Sequence, residues 1–176
     1  GRSGDRPDRS ALGRRASANA AAAVTPMRIA LFEPEIAGNV GNVMRLGACM
    51  GAGIDLIEPL GFSWDDRRVR RAAMDYIDHV EIIRHADFSA FRKARAGARI
   101  VLFTTRATQS SYDFSYRSDD VLLFGKESAG VTDAVRAVAD ASVRLPMRAE
   151  VRSLNLATSA GMALGEALRQ TQGLPG

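Results

Sequence analysis

Arg144-Leu145-Pro146-Met147, a short linker to Glu150, then Val151-Arg152-Ser153-Leu154-Asn155-Leu156: the reading of this stretch decides the architecture of the chain. An apolar strand over residues 141–145 stops at Pro146, which has no N–H to give to a sheet. A polar loop follows. Ser153 and Asn155, both good capping residues, then open a helix that runs to about Gln170. An ordinary strand–loop–helix connection needs one cap, and this Ser-Leu-Asn pair follows directly on an arginine, so the loop reads either as a plain connection or as a connection with a second task. Within the helix, Ala157, Gly161 and Gly165 recur at i, i+4, i+8 and share one face. Each helix-interior glycine costs roughly 1 kcal/mol against alanine. Close approach of another backbone offsets that cost, and it comes either from the helix's own sheet or from a helix across a subunit boundary.

Working outward, the same pattern repeats upstream. Val121-Leu122-Leu123-Phe124 is a buried strand that ends in Gly125-Lys126-Glu127-Ser128-Ala129-Gly130-Val131, ahead of a helix from Thr132. Arg28-Ile29-Ala30-Leu31-Phe32 is another, ended by Glu33-Pro34-Glu35 and followed by Ile36-Ala37-Gly38-Asn39-Val40-Gly41-Asn42 and a helical pattern in which Asn39 or Asn42 is placed to cap. Further strands are expected over residues 53–58, 79–83 and 99–103, with a helix capped by Ser63 or Asp65 and another over residues 87–95 with Phe88 and Phe91 inward. Strand–helix alternation throughout predicts an α/β fold with a largely parallel sheet. Polar loops, the first two glycine-bearing, end three of the strands, at residues 33–42, 125–130 and 146–155. In a parallel sheet they converge at the carboxyl edge, where such sheets bind ligands. The spacing matches neither a dinucleotide fingerprint nor a P-loop.

Residues 1–26 are rich in Gly, Ser, Arg, Ala and Pro and are expected to be a disordered basic tail, leaving residues 27–176 as one domain. The tail holds +3 of the net charge of +4, so bulk charge says little about the core. The densest positive patch there is Arg67-Arg68-Val69-Arg70-Arg71, read either as a solvated helix face or as a set of phosphate contacts. Trp64 is expected to pack rather than to stack on a base. The single cysteine, Cys49, precludes an internal disulfide, fits a reducing, cytoplasmic compartment and is expected to be a buried, inert thiol. His79 and His85 lack ligand spacing, so no metal is expected. No apolar run approaches the ~20 residues of a membrane span.

Taken together, Glu33-Pro34-Glu35-Ile36, Gly38-Asn39-Val40-Gly41-Asn42 with Arg45-Leu46, then Phe124-Gly125-Lys126-Glu127-Ser128-Ala129-Gly130, then Leu145-Pro146-Met147 with Arg152-Ser153-Leu154-Asn155-Leu156 resemble the three motifs of the SPOUT class of RNA ribose methyltransferases. Ile57-Glu58-Pro59-Leu60-Gly61-Phe62, Trp64-Asp65-Asp66, Arg70-Arg71-Ala72 and Asp75-Tyr76 are similar to its small subfamily that methylates the wobble nucleotide of tRNA. The resemblance implies a parallel-sheet SPOUT fold whose C-terminal part is tied in a deep trefoil knot, a homodimer with a shared active site, S-adenosylmethionine as methyl donor and the tRNA anticodon loop as partner. It implies that Phe103, Gly125, Leu145, Glu127 and Ser153 hold the donor, that Arg45 is catalytic, and that Asn39, Ser153 and Asn155 support it. Arg67, Arg68, Arg70, Arg71 and Arg152 are then the expected RNA contacts. A SPOUT enzyme for another RNA site and a non-catalytic RNA-binding module are the competing readings.

Overall fold

The computed structural model describes residues 26–151 and 153–176, so the expectations for residues 1–25 and for Arg152 lie outside the described residues. Among these, strands β1 (Arg28–Phe32), β2 (Gly53–Ile57), β3 (Ile82–His85), β4 (Ile100–Phe103), β5 (Val121–Phe124) and β6 (Ala141–Val143) form one sheet. They alternate with helices α1 (Ala37–Met50), α2 (Arg67–Tyr76), α3 (Phe88–Ala94), α4 (Asp133–Val138) and α5 (Leu156–Gln170). The strand order is β3-β2-β1-β5-β4-β6, and every pairing is parallel. Strands β1, β2, β4 and β5 are buried along their whole length, which is why they read as near-continuous apolar runs rather than as alternation. Helices α1, α2 and α5 cover one face over Ile29, Leu31, Leu56 and Leu122, while α3 and α4 cover the other over Ala30, Leu102 and Leu123.

This order positions the site. From β1 the chain builds outward to β2 and β3, then crosses to β4, and β5 fills the gap beside β1. The order reverses between β1 and β5, and a ligand crevice opens outside the carboxyl ends of strands at such a point.

Several expected boundaries move, each for a local reason. The third strand begins at Ile82 rather than at residue 79, because the N–H groups of His79 and Val80 bond the Tyr76 carbonyl and finish α2 instead. Strand β6 ends at Val143; Arg144 pairs onward only as a single bridge with Ser110. Asp66, not Ser63 or Asp65, caps α2. Neither Asn39 nor Asn42 caps α1, which starts after Ile36 with no side-chain cap of its own. Cys49 is exposed rather than buried, on the outward stripe of α1 that also carries Asn42 and Arg45. On α5, a Cβ at Gly161 or Gly165 would meet nothing within 4 Å, so these glycines do not serve contact with the helix's own sheet. Trp64 packs partly buried against the core, with the Arg84 guanidinium 4.5 Å from its ring centroid.

A carboxylate within the sheet is wholly enclosed. Asp55, mid-β2, accepts hydrogen bonds from Arg28 Nε at 2.8 Å and from Arg95 Nε and Nη2 at 3.0 and 2.7 Å, and His85 Nε2 lies 2.8 Å away. Gly53 makes the space: a Cβ there would overlap the Arg28 guanidinium. Burial alone would push the Asp55 carboxyl up; the bonds from Arg95, Arg28 and His85 outweigh it and hold the group below its ordinary 3.8. Asp55→Asn removes the buried charge that Arg95 and Arg28 share and is predicted to cost about 3–5 kcal/mol, read as a lower denaturation midpoint. A depressed carboxyl stabilises the fold above its ordinary value and ceases to as pH falls through the lowered one. The wild-type midpoint should therefore fall as pH drops below 3.8, and Asp55→Asn should lack that component.

Candidate active site

Four strand ends meet at one cavity of about 400 Å³. Its walls come from Ile36 and Asn39 after β1, Phe103 to Thr105 after β4, Phe124 to Glu127 with Gly130 after β5, and Leu145 with Met147 after β6. The N-terminal end of α5 and the residues before it, among them Ser153, Asn155 and Leu156, close the remaining side. Phe103 and Phe124 stack with centroids 4.8 Å apart and a 16° interplanar angle, giving an apolar wall under a polar rim. That size and lining suit a small organic ligand with a flat apolar part.

Side chains tie the rim together. Asn39, in the first turn of α1, is only 6% exposed, and a buried amide needs partners. Its Nδ2 donates to Glu127 Oε1 at 3.3 Å, and its Oδ1 accepts from Asn155 Nδ2 at 2.9 Å. Asn155 Oδ1 in turn accepts from the Thr158 N–H at 3.2 Å and caps α5. Glu127 also accepts from the backbone N–H groups of Glu35 and Ile36, at 2.9 and 3.3 Å. A carboxylate from a distant loop thus sits at the N-terminal end of α1, where the helix dipole favours it and no neighbour in sequence supplies a cap. This is why the search for a local cap misleads.

The loop after β5 is a closed turn. Lys126 and Gly130 exchange backbone hydrogen bonds of 3.0 and 2.8 Å. Gly125 lies so close that a Cβ there would stand 2.5 Å from the Gly130 Cα, so no side chain fits. Lys126 Nζ lies 3.3 Å from Glu33 Oε2, and Ser128 donates through both N–H and Oγ to Glu35 Oε1, at 2.9 and 2.6 Å. These bonds hold the segment after β1, which opens on Glu33 with φ 46°, a conformation uncommon outside glycine.

Of the expected site residues, Asn39, Phe103, Gly125, Glu127, Leu145, Ser153 and Asn155 all line the cavity. Arg45 does not: it is exposed, six residues beyond Asn39 on α1. The four arginines of α2 separate. Arg67, Arg70 and Arg71 border a shallow depression with Asp65, Met74 and Asp75, whereas Arg68 turns to Asp66 and lies 3.7 Å from where a Gly38 Cβ would stand. Thr104, Thr105, Lys126 and Met147 line the cavity and were not singled out. Thr104-Thr105 is a fourth polar strand end, and that signal was present in the sequence. No cluster of three or more His, Cys, Asp or Glu able to hold a metal occurs among the described residues.

Comparison with known proteins agrees with this geometry. The sequence pattern of the SpoU rRNA methylase family matches residues 26–165. A tRNA (cytidine(34)-2′-O)-methyltransferase of Beijerinckia indica is 51% identical over 148 residues, 83% of this chain and 92% of that protein. A protein of the same name from Escherichia coli K12 is 40% identical over 152 residues, 85% of this chain and 96% of the relative. A solved structure described as giving insight into 2′-OH methylation of C/U34 on tRNA superposes with a TM-score of 0.78 at 41% identity, covering 83% of this chain and 96% of that one. An AdoMet-bound rRNA methyltransferase of Sinorhizobium meliloti gives 0.73 at 30% identity, covering 82% of this chain and 56% of its own. With its parallel sheet, its strand-end cavity and these matches, the chain belongs to the SpoU methylase family.

Proposed function

We propose that this protein transfers a methyl group from S-adenosylmethionine to the ribose 2′-OH of the wobble nucleotide of tRNA, C34 or a modified U34. The observation that carries the reading is the cavity at the reversal of strand order, its rim closed by the Glu127–Asn39–Asn155 chain. Similarity favours the wobble substrate over ribosomal RNA: the relatives named as C34 methyltransferases are 51% and 40% identical, the AdoMet-bound rRNA enzyme 30%.

The cavity fits the donor by its chemistry. The stacked Phe103 and Phe124, with Leu145 and Leu156, offer an apolar wall for a flat base. Among the described residues, the charged side chains on its lining are Glu127 and a Lys126 already paired with Glu33, a balance suited to a cationic centre. When bound, the donor supplies a methyl on a sulfonium, which departs as a neutral thioether, so orienting the hydroxyl is the main task left to the protein. A guanidinium offers donors and no acceptor, and Arg45 therefore acts as an anchor for the adjacent phosphate that orients the 2′-OH, whose proton passes to solvent as the new C–O bond forms. Ser153 and Asn155 complete the support at the mouth of the cavity. Arg67, Arg70 and Arg71, with Arg68 and Arg152, carry the flanking RNA phosphates.

The same reading includes a homodimer, a trefoil knot and a cytoplasmic setting. The open space at Gly161 and Gly165 on α5 and the placement of Arg45 outside its own chain's cavity support a second copy completing the site. A clasp of α5 on the long segment between β4 and β5 supports the knot: Gln170 accepts from the Tyr116 N–H at 3.1 Å and donates to the Phe114 carbonyl at 3.0 Å.

Incubation with S-adenosylmethionine and tRNA from a strain lacking this gene, followed by nucleotide mapping, should place ribose methylation at position 34; a product elsewhere, or none, overturns the reading. Arg45→Lys should retain residual methylation, and Arg45→Ala should lose about 10²-fold or more in kcat with tRNA binding weakened. Complete loss in Arg45→Lys with RNA affinity intact would contradict an anchoring role. S-adenosylhomocysteine at 100 times its Kd should stabilise the wild type by about 2.7 kcal/mol and leave Gly125→Ala unchanged, measured by thermal unfolding.

A further inference from the structure

We propose that Glu35 is a positioning residue for this reaction: through Ser128 it holds the Lys126–Gly130 turn in the shape that binds the methyl donor. The proposal rests on the function assigned above and concerns a residue outside the cavity lining.

The argument begins with what fixes the turn. Its base is closed by the two Lys126–Gly130 backbone bonds, and Gly130 is packed against Gly125 with no room for a side chain between. The base therefore has no freedom toward the sheet. The tip, Glu127 and Ser128, projects away from it, and the side-chain bonds it makes run to the segment after β1. Glu35 meets that tip twice. Its backbone N–H donates to Glu127 Oε2 at 2.9 Å, and its carboxylate accepts from the Ser128 N–H and Oγ at 2.9 and 2.6 Å. Each segment thus places a carboxylate on the other's backbone. This reciprocal arrangement fixes both the rotation and the tilt of the tip, which one bond would leave free.

The chemistry of the pair suits a permanent fastening. The Ser128 hydroxyl, then its N–H, hold the Glu35 carboxyl below the usual carboxylate range, so Glu35 stays ionised at working pH. Bonds to an ionised acceptor are the stronger kind. Neither Glu35 nor Ser128 lines the cavity, whereas Gly125, Lys126, Glu127 and Gly130 do. Substituting Glu35 or Ser128 therefore removes no contact to the donor; it releases the turn that makes those contacts. The consequence falls on donor binding, not on the RNA side of the site.

Calorimetry with S-adenosylhomocysteine and steady-state kinetics on the full chain test this. Glu35→Ala and Ser128→Ala should each weaken S-adenosylhomocysteine binding about three- to tenfold and raise the KM for S-adenosylmethionine by the same factor, the scale of a single net hydrogen bond. The kcat and the KM for tRNA should stay within about twofold, a split that general loss of structure does not give. The double variant should bind no more weakly than Glu35→Ala, because Ser128→Ala removes one of the two bonds that Glu35→Ala already removes. Glu35→Gln should recover part of the affinity, since its amide oxygen still accepts from Ser128. Wild-type affinity in both single variants, or effects that multiply in the double variant, would overturn the proposal. If the wild type itself fails to bind S-adenosylhomocysteine, the functional reading falls first and this inference with it.

Discussion

A buried amide with both ends occupied holds this site together. Asn39 has little access to water, so its oxygen and nitrogen must find partners within the protein or cost roughly 1–3 kcal/mol each. The nitrogen finds Glu127 and the oxygen finds Asn155, which fixes the amide in one orientation. Those partners lie 88 and 116 residues away along the chain. Satisfying one side chain therefore brings three loops into register. Around it the backbone follows: Glu127 occupies the entrance to α1, and Asn155 starts α5. A cavity built this way is set by hydrogen-bond geometry rather than by loop length.

The sheet supplies the other half of the constraint. All its strands run in one direction, so every strand ends on the same edge and every return crosses a face. Placing β5 between β1 and β4 puts the glycine-bearing turn beside the segment after β1. The apolar faces then only need volume, and the polar work moves to the loops. The exception is Asp55, where a charge lies within the sheet and is matched by guanidiniums from β1 and from the end of α3.

Much of this was legible in the residues, and the rest was not for identifiable reasons. Apolar runs such as Val121–Phe124 announce buried strands because nothing else accommodates them. Asp87, Thr132 and Asn155 announce helix starts because their side chains reach N–H groups three residues on. The convergence of the loops followed from parallel order alone. The entrance to α1 was misread because its carboxylate comes from Glu127, and single-sequence reasoning sees only neighbours. The start of β3 was misread because apolar content cannot tell a strand from the last turn of a helix. Cys49 was misplaced because a run of apolar residues on a helix hides which face is turned out. The division of the α2 arginines into a trio and a lone Arg68 depends on how α1 and α2 cross, which no spacing reveals.

The space left by Gly53 restricts how this sequence can drift. Any larger residue there collides with the Arg28 guanidinium, and an Arg28 that yields takes a partner from Asp55. No one of the three positions can be exchanged freely while the other two stand. A change at one of them is accommodated best when the others change with it.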